Sequence, residues 1–185
     1  PPSYTKLLEG DLKGLRVAFS PDFGYLTVDS EVAQIVKQAV LAFEELGCHV
    51  EQVNSTWDDC SDWGPKFWQT MLVGSYRSTV EASAHLMDPG LVACVEEGKS
   101  ISFADFHEMR VRRVGLYEQM RQFFDKYDLL ISPTASVAAF PASQLIPEHW
   151  VQHAWNWLTY AGFSYPFNLS GMPAASCPAG FTSEG

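Results

Sequence analysis

Positive charge is scarce in this chain. Its 185 residues carry 12 Lys and Arg against 22 Asp and Glu, a net charge of -10. A field of that sign repels a phosphate backbone, so nucleic acid is not an expected partner. The densest basic cluster, Arg110, Arg112 and Arg113, follows Asp105 and Glu108 and reads as a solvated helix face. Long apolar runs are missing too. Nothing reaches the roughly 18 residues that suggest a membrane-spanning helix, and Pro1-Pro2-Ser3-Tyr4 is no signal-peptide start. No membrane partner is expected. Cysteine is sparse: Cys48, Cys60, Cys94 and Cys177 form no C-x-x-C pair and have no zinc-finger spacing. Neither a disulfide framework nor a metal is expected, and unpaired thiols suit a reducing cytoplasm. Activated nucleophiles are absent as well, with no G-x-S-x-G, no S-x-x-K and no phosphate-cradling glycine loop.

What is present is apolar and aromatic. Hydrophobic residues make up 46% and charged residues 18%, so the chain has a core to bury. Aromatic residues reach 14%, and rings in that number need a core, an interface or a pocket. Leu15 to Phe19 reads as a strand, and Pro21-Asp22-Phe23-Gly24 turns the chain. Asp29 or Ser30 then caps a helix whose apolar face is Val32, Ile35, Val36, Ala39, Val40, Phe43 and Leu46, with Gly47 as its stop. Cys48 to Val53 follows as a second strand. Strand, helix, strand at this spacing is a βαβ unit, which makes the two strands parallel.

An acidic loop bearing Trp57 and Trp63 leads to a helix from Pro65 to about His85, and a short helix covers residues 91–97. Ser102 and Asp105 form a capping box for a helix from 102 to about 126. Its Phe106, Leu116, Met120 and Phe123 side is expected against the sheet. The solid apolar run of residues 128–132 reads as a strand buried on both faces. Further expectations are a helix from Glu148 to Tyr160, a loop over 166–173 and a strand over 174–181, the last weakened by Pro178 and Gly180. The fold class is α/β, a mixed sheet flanked by helices. No boundary divides the chain. Pro1-Pro2 resembles a linker tail and Phe181 to Gly185 stops in a turn-like stretch, so residues 1–185 are expected to be one partial domain truncated at both ends.

Taken singly, the polar residues do not define a reaction. Ser170 and Ser176 lie near glycines but have no base beside them in sequence, and read as turn or strand residues. His149 and His153 stand four apart without a third ligand in pattern. Asp58, Asp59 and Asp62 read as a solvated loop. The rings from Trp150 to Phe167 fill a core or line a pocket for an apolar ligand.

Three segments together carry a resemblance. Leu12-Lys13-Gly14-Leu15-Arg16-Val17-Ala18 ahead of a capped helix is the first. Phe123-Phe124-Asp125-Lys126-Tyr127-Asp128-Leu129-Leu130-Ile131-Ser132-Pro133-Thr134 is the second. Pro166-Phe167-Asn168-Leu169-Ser170-Gly171-Met172-Pro173 continuing through Pro178-Ala179-Gly180-Phe181 is the third and most specific. In this order they resemble amidase-signature hydrolases over essentially the whole chain.

The resemblance implies part of the amidase-signature fold. It also implies hydrolysis of carboxamides by a Ser–cis-Ser–Lys triad, with a Gly/Ser-rich signature providing the oxyanion hole and no metal or cofactor. No such signature occurs here, so no catalytic residue is carried over to any position. By position, the resemblance implies Thr134, Phe140, Trp157, Tyr160 and Phe163 as walls of the acyl pocket. Relatives that act in tRNA-dependent amidotransferases usually place an Asp five residues before the proline of the third segment, to hold the amino group of glutamine. Here that position is Ala161, among Tyr160, Phe163 and Tyr165. The expected substrate is therefore a small hydrophobic or aryl amide, handled by a parent enzyme. The competing expectation is a non-catalytic module that binds a partner protein through its aromatic face. Open sheet edges and uncovered pocket rings would also favour self-association.

Overall fold

Three short strands, β1 (Arg16–Phe19), β2 (His49–Gln52) and β3 (Leu129–Ile131), pair in the order β2-β1-β3. The computed structural model describes residues 3–7 and 10–183. The Pro1-Pro2 start and the Glu184-Gly185 end therefore lie outside the described residues. Both pairings are parallel, with Val17 opposite Val50 on one side and Leu129 on the other. The α/β class is as expected. The sheet is parallel throughout rather than mixed, among the described residues. The middle strand is β1, whose Val17 and Ala18 are fully buried. The expectation of a doubly buried β3 fails: β3 is an edge, and Leu129 is 40% exposed. Its apolar run reflects one packed face and one open side.

Helix α1 (Tyr4–Leu7) precedes the sheet, and α2 (Ser30–Glu45) crosses from β1 to β2 as the βαβ reading required. Gly47, at φ 85°, ends it as expected: its N–H reaches the Glu44 carbonyl at 2.9 Å, and Cys48 reaches Phe43 at 3.0 Å. The helix start differs. Asp29 stands at the cap position, but its carboxylate is turned to His149, with Nε2 at 3.0 Å from Oδ2.

Helices α3 (Gly64–Ser83) and α4 (Pro89–Gly98) pack closely on one another. Gly98 permits this, since a Cβ there would lie 2.6 Å from Val73 and 2.8 Å from Gln69. Buried Gln69 donates to the Cys94 carbonyl across that contact at 2.9 Å. Helix α5 (Phe103–Lys126) begins with the expected capping box. Met109, Leu116, Met120 and Phe123 are its buried side, and it packs chiefly on α3 and on α6 (Tyr165–Ser170) rather than on the sheet. The arginine cluster is less solvated than expected. Arg112 pairs with Asp62 at 3.2 Å and lies over Trp63, and Arg113 donates through Nε to the Leu169 carbonyl at the end of α6. No helix among the described residues is long and apolar enough to cross a membrane.

The last third departs most from periodicity. Residues 148–160 form no α-helix, only a 3-10 turn at Trp157–Thr159. Side chains take the place of helical hydrogen bonding there: His153 Nδ1 accepts from the N–H groups of Trp155 and Asn156, and Gln152 donates to the carbonyls of Pro147 and Trp150. The expected loop over 166–173 contains α6, which Pro166 opens and Gly171, at φ 76°, closes. The expected strand over 174–181 is an exposed stretch that joins no ladder.

Phe23 organises the core. It is 1% exposed and adopts φ 56°, a left-handed conformation that costs a residue bearing a Cβ about 1–2 kcal/mol. Ring packing holds it there. Phe163 lies 4.9 Å away and Trp57 5.2 Å away, with Tyr25 and Phe167 both at 6.1 Å. Phe23→Ala removes the packing and keeps the strained φ. It should therefore destabilise the fold by about 3–5 kcal/mol in urea unfolding. A loss under about 1 kcal/mol would show that the core closes without this ring.

The capping box has a pH signature of definite sign. The Ser102 hydroxyl, and after it the Ser102 backbone N–H, holds the Asp105 carboxyl below its ordinary value of 3.8. Stability from a depressed carboxyl is present above that value and lost as pH falls through the folded one. The difference in urea midpoint between the wild type and Ser102→Ala should therefore shrink below pH 3.8. A difference that does not change with pH would count against the box.

Candidate functional site

In a parallel sheet, the loops at the carboxyl ends of the strands gather on one side, where ligands of such sheets usually bind. Here the turn after β1 and the segment after β3 meet: the Ser20 N–H donates to the Ile131 carbonyl at 2.9 Å. The segment is then stitched in place. Asp29 N–H donates to the Ser136 carbonyl at 2.8 Å, and Ser136 N–H to the Tyr160 carbonyl at 2.9 Å.

Three of the five candidate wall residues form one chain of rings. Phe140 meets Tyr160 edge-on at 5.5 Å, and Tyr160 meets Trp157 at 6.0 Å. Trp157 and Tyr160 are half-buried, and Phe140 lies at the outer end. Phe163 stands behind them at 2% exposure, against Phe23. Thr134 stands apart, its hydroxyl 3.0 Å from that of Ser176. Pattern reading missed Trp68. It stacks on Trp155 at 6.2 Å and meets Trp157 edge-on at 6.2 Å, so it extends the same ring chain onto α3. The periodicity of α3 ran through Phe67, Met71 and Tyr76 and left Trp68 off the apolar face. The aromatic excess was the one sequence signal pointing to it.

The wall is electrically neutral. Burial raises the Tyr160 phenol above its ordinary pKa, so it stays protonated at neutral pH. The carboxylate of Glu97 is held aside, accepting from Trp155 Nε1 at 2.6 Å. Ala161 is 7% exposed.

The other polar groups are engaged elsewhere. Ser170 Oγ donates to the Phe167 carbonyl at 3.2 Å, inside α6, and Ser176 Oγ pairs with Thr134. Neither hydroxyl is bonded to a histidine, lysine or carboxylate among the described residues. His149 faces Asp29, while His153 accepts backbone N–H groups. Asp58 accepts from Gln119 at 2.9 Å, Asp59 from the Ser61 N–H at 2.8 Å, and Asp62 holds Arg112. No group of three or more His, Cys, Asp or Glu among the described residues is placed to hold a metal.

Against known proteins, the family model described as Amidase matches residues 1–185. The chain belongs to the amidase family. An acylamidase of Rhodococcus erythropolis is 32% identical over 194 residues, covering 99% of this chain and 39% of the relative. The GatA-type component of a glutamyl-tRNA(Gln) amidotransferase from Oceanobacillus iheyensis is 25% identical over 218 residues, covering 100% of this chain and 42% of the relative. Among solved structures, a bacterial aryl acylamidase of the amidase-signature enzymes superposes with a TM-score of 0.80 at 21% identity. That match covers 98% of this chain and 40% of the neighbour, and it establishes the fold. The chain thus spans about two fifths of the length of these relatives.

The amidase chain's thiols differ sharply in environment. Cys48, Cys60 and Cys94 are buried and Cys177 is exposed. Burial, reinforced by the charge of Asp59, pushes the Cys60 thiol up to about 12. Burial and Glu97 push Cys94 up to about 11. Native-state thiol titration should therefore label Cys177 quickly and the other three only on unfolding. Two or more fast thiols, counted by intact mass, would contradict this packing.

Proposed function

We propose that this chain is part of an amidase that hydrolyses carboxamide C–N bonds by serine acyl-enzyme chemistry, with this part supplying scaffold and acyl-pocket walls. The carrying observation is the ring chain Phe140–Tyr160–Trp157 in the segment that follows β3, in a chain matched throughout by the family model. In this reading the nucleophile, its lysine base and the oxyanion donors lie in family sequence that this chain does not carry. A serine attacks the amide carbon, the amine leaves with a proton, and water hydrolyses the acyl-serine. No metal or cofactor enters. Burial by walls such as these keeps a lysine neutral enough to act as base, because low polarity disfavours its charged form.

The neutral wall also favours a substrate class. Phe140, Trp157 and Tyr160 offer ring surface, with Phe163 backing them and Thr134 at the margin. Where a glutamine donor would need a counter-charge, buried Ala161 offers none. Small hydrophobic or aryl amides fit such a wall, and the likeness to an acylamidase agrees with that choice.

Purified chain alone should turn over neither an anilide nor a nitrophenyl ester. Coexpressed with the remaining part of the amidase domain, it should become active on the anilide. Turnover by the chain alone that disappears in Ser170→Ala or Ser176→Ala would refute the assignment.

The chain should also self-associate through its open edges, since β2 and β3 each lack a second neighbour among the described residues. A charge of -10 opposes this only over a Debye length of roughly 10 Å at 0.1 M salt. Light scattering should therefore rise along a salt series. A monomer at every salt concentration would rule the association out.

A further inference from the structure

We infer that Trp68 is a positioning residue for the acyl-pocket wall, and that the stack Glu97–Trp155–Trp68–Trp157 sets a preference for aromatic over aliphatic amides. The inference rests on the acyl-pocket reading above.

Residues 134–164 contain one 3-10 turn and no other helix or strand, yet they carry Phe140, Trp157 and Tyr160. A segment of that kind needs an external anchor if its rings are to keep one geometry. Trp68 is the ring of the chain borne by a long helix, on the second turn of α3. It lies nearly parallel to Trp155, at 25° and 6.2 Å, and meets Trp157 at 80° and 6.2 Å. Both are favoured aromatic geometries.

Trp155 is itself fixed from two sides. Its Nε1 donates to Glu97 on α4 at 2.6 Å, and its backbone N–H donates to His153 Nδ1 at 3.2 Å. Because α3 and α4 are locked together at Gly98, Glu97 and Trp68 form one rigid support for the irregular segment that follows β3. The orientation of Trp157 then passes to Tyr160 and Phe140.

An aryl group gains from oriented rings because the preference for edge and offset contacts is geometric. An alkyl group gains only area and tolerates a rotated wall. Loss of Trp68 therefore acts on the two classes unequally. The contact energy of one aromatic pair corresponds to about a twofold to tenfold change in affinity.

The test uses the chain together with the rest of the amidase domain, assayed on 4-nitroacetanilide and on hexanamide. Trp68→Leu should raise the anilide-to-hexanamide KM ratio about twofold to tenfold, with the loss in KM rather than kcat. Trp68→Phe should restore most of it. Glu97→Ala, which frees Trp155 without removing a ring, should move the ratio in the same direction and keeps the question answerable if Trp68→Leu fails to fold. Equal effects on both amides, or an unchanged ratio in Glu97→Ala and Trp68→Leu alike, would overturn the inference while leaving amide hydrolysis intact. Absence of turnover by the unsubstituted enzyme would overturn both readings.

Discussion

The burial of Phe23 is the constraint on which the rest of the fold depends. The turn after β1 must bring a large ring inward, and it does so by forcing φ to 56°. Ser20, itself fully buried, accepts from the Phe23 N–H at 3.1 Å, and Asp22 accepts from the Gly24 N–H at 2.7 Å, so side chains hold the turn that the backbone resists. Around that ring meet Trp57 from the acidic loop, Phe163 from the segment after the 3-10 turn, and Phe167 from α6. Distant pieces of the chain, from the turn after β1 to the start of α6, are thus joined through one side chain. Trp57 then passes the packing to Phe123 on α5.

Charged groups serve a different purpose: they fasten edges and loops. Asp128 accepts from both the backbone and the guanidinium of Arg16, joining the start of β3 to the start of β1. The pair is exposed and screened, so it adds little to stability. Its value is register, since it sets which residue of β3 faces which residue of β1. Arg113 in the same way closes the carbonyl end of α6, and Arg112 ties the acidic loop to α5. The cluster that looked solvated is used because α5 is long enough to present it to two neighbouring segments.

Local signals were legible wherever a residue type has one physical use. Gly47 ends α2 because the left-handed position suits a residue without Cβ, and Ser102 with Asp105 starts α5 because each satisfies an orphan donor of the other. Residues 148–160 were not legible. Trp150, Trp155 and Trp157 suggest a helix face, but Glu97 and His153 offered hydrogen bonds that a helix could not match. The short α6 was hidden for the opposite reason: Pro166 and Gly171 look like loop residues, and they are the start and stop of a brief helix. In the candidate wall, the rings after β3 were identified by position. Trp68 was not, since its role arises from Trp155, a partner far away in sequence.

The sequence by itself determined the family, the α/β class, the βαβ unit and the absence of a serine signature, because these rest on ordered motifs and on periodicities that each segment carries alone. Tertiary structure decided which strand is central, where α5 packs, and how the rings of 134–164 are anchored to α3 and α4. Those outcomes depend on packing between distant segments. A ring's environment is set by whatever surface arrives beside it, and no local pattern encodes that arrival.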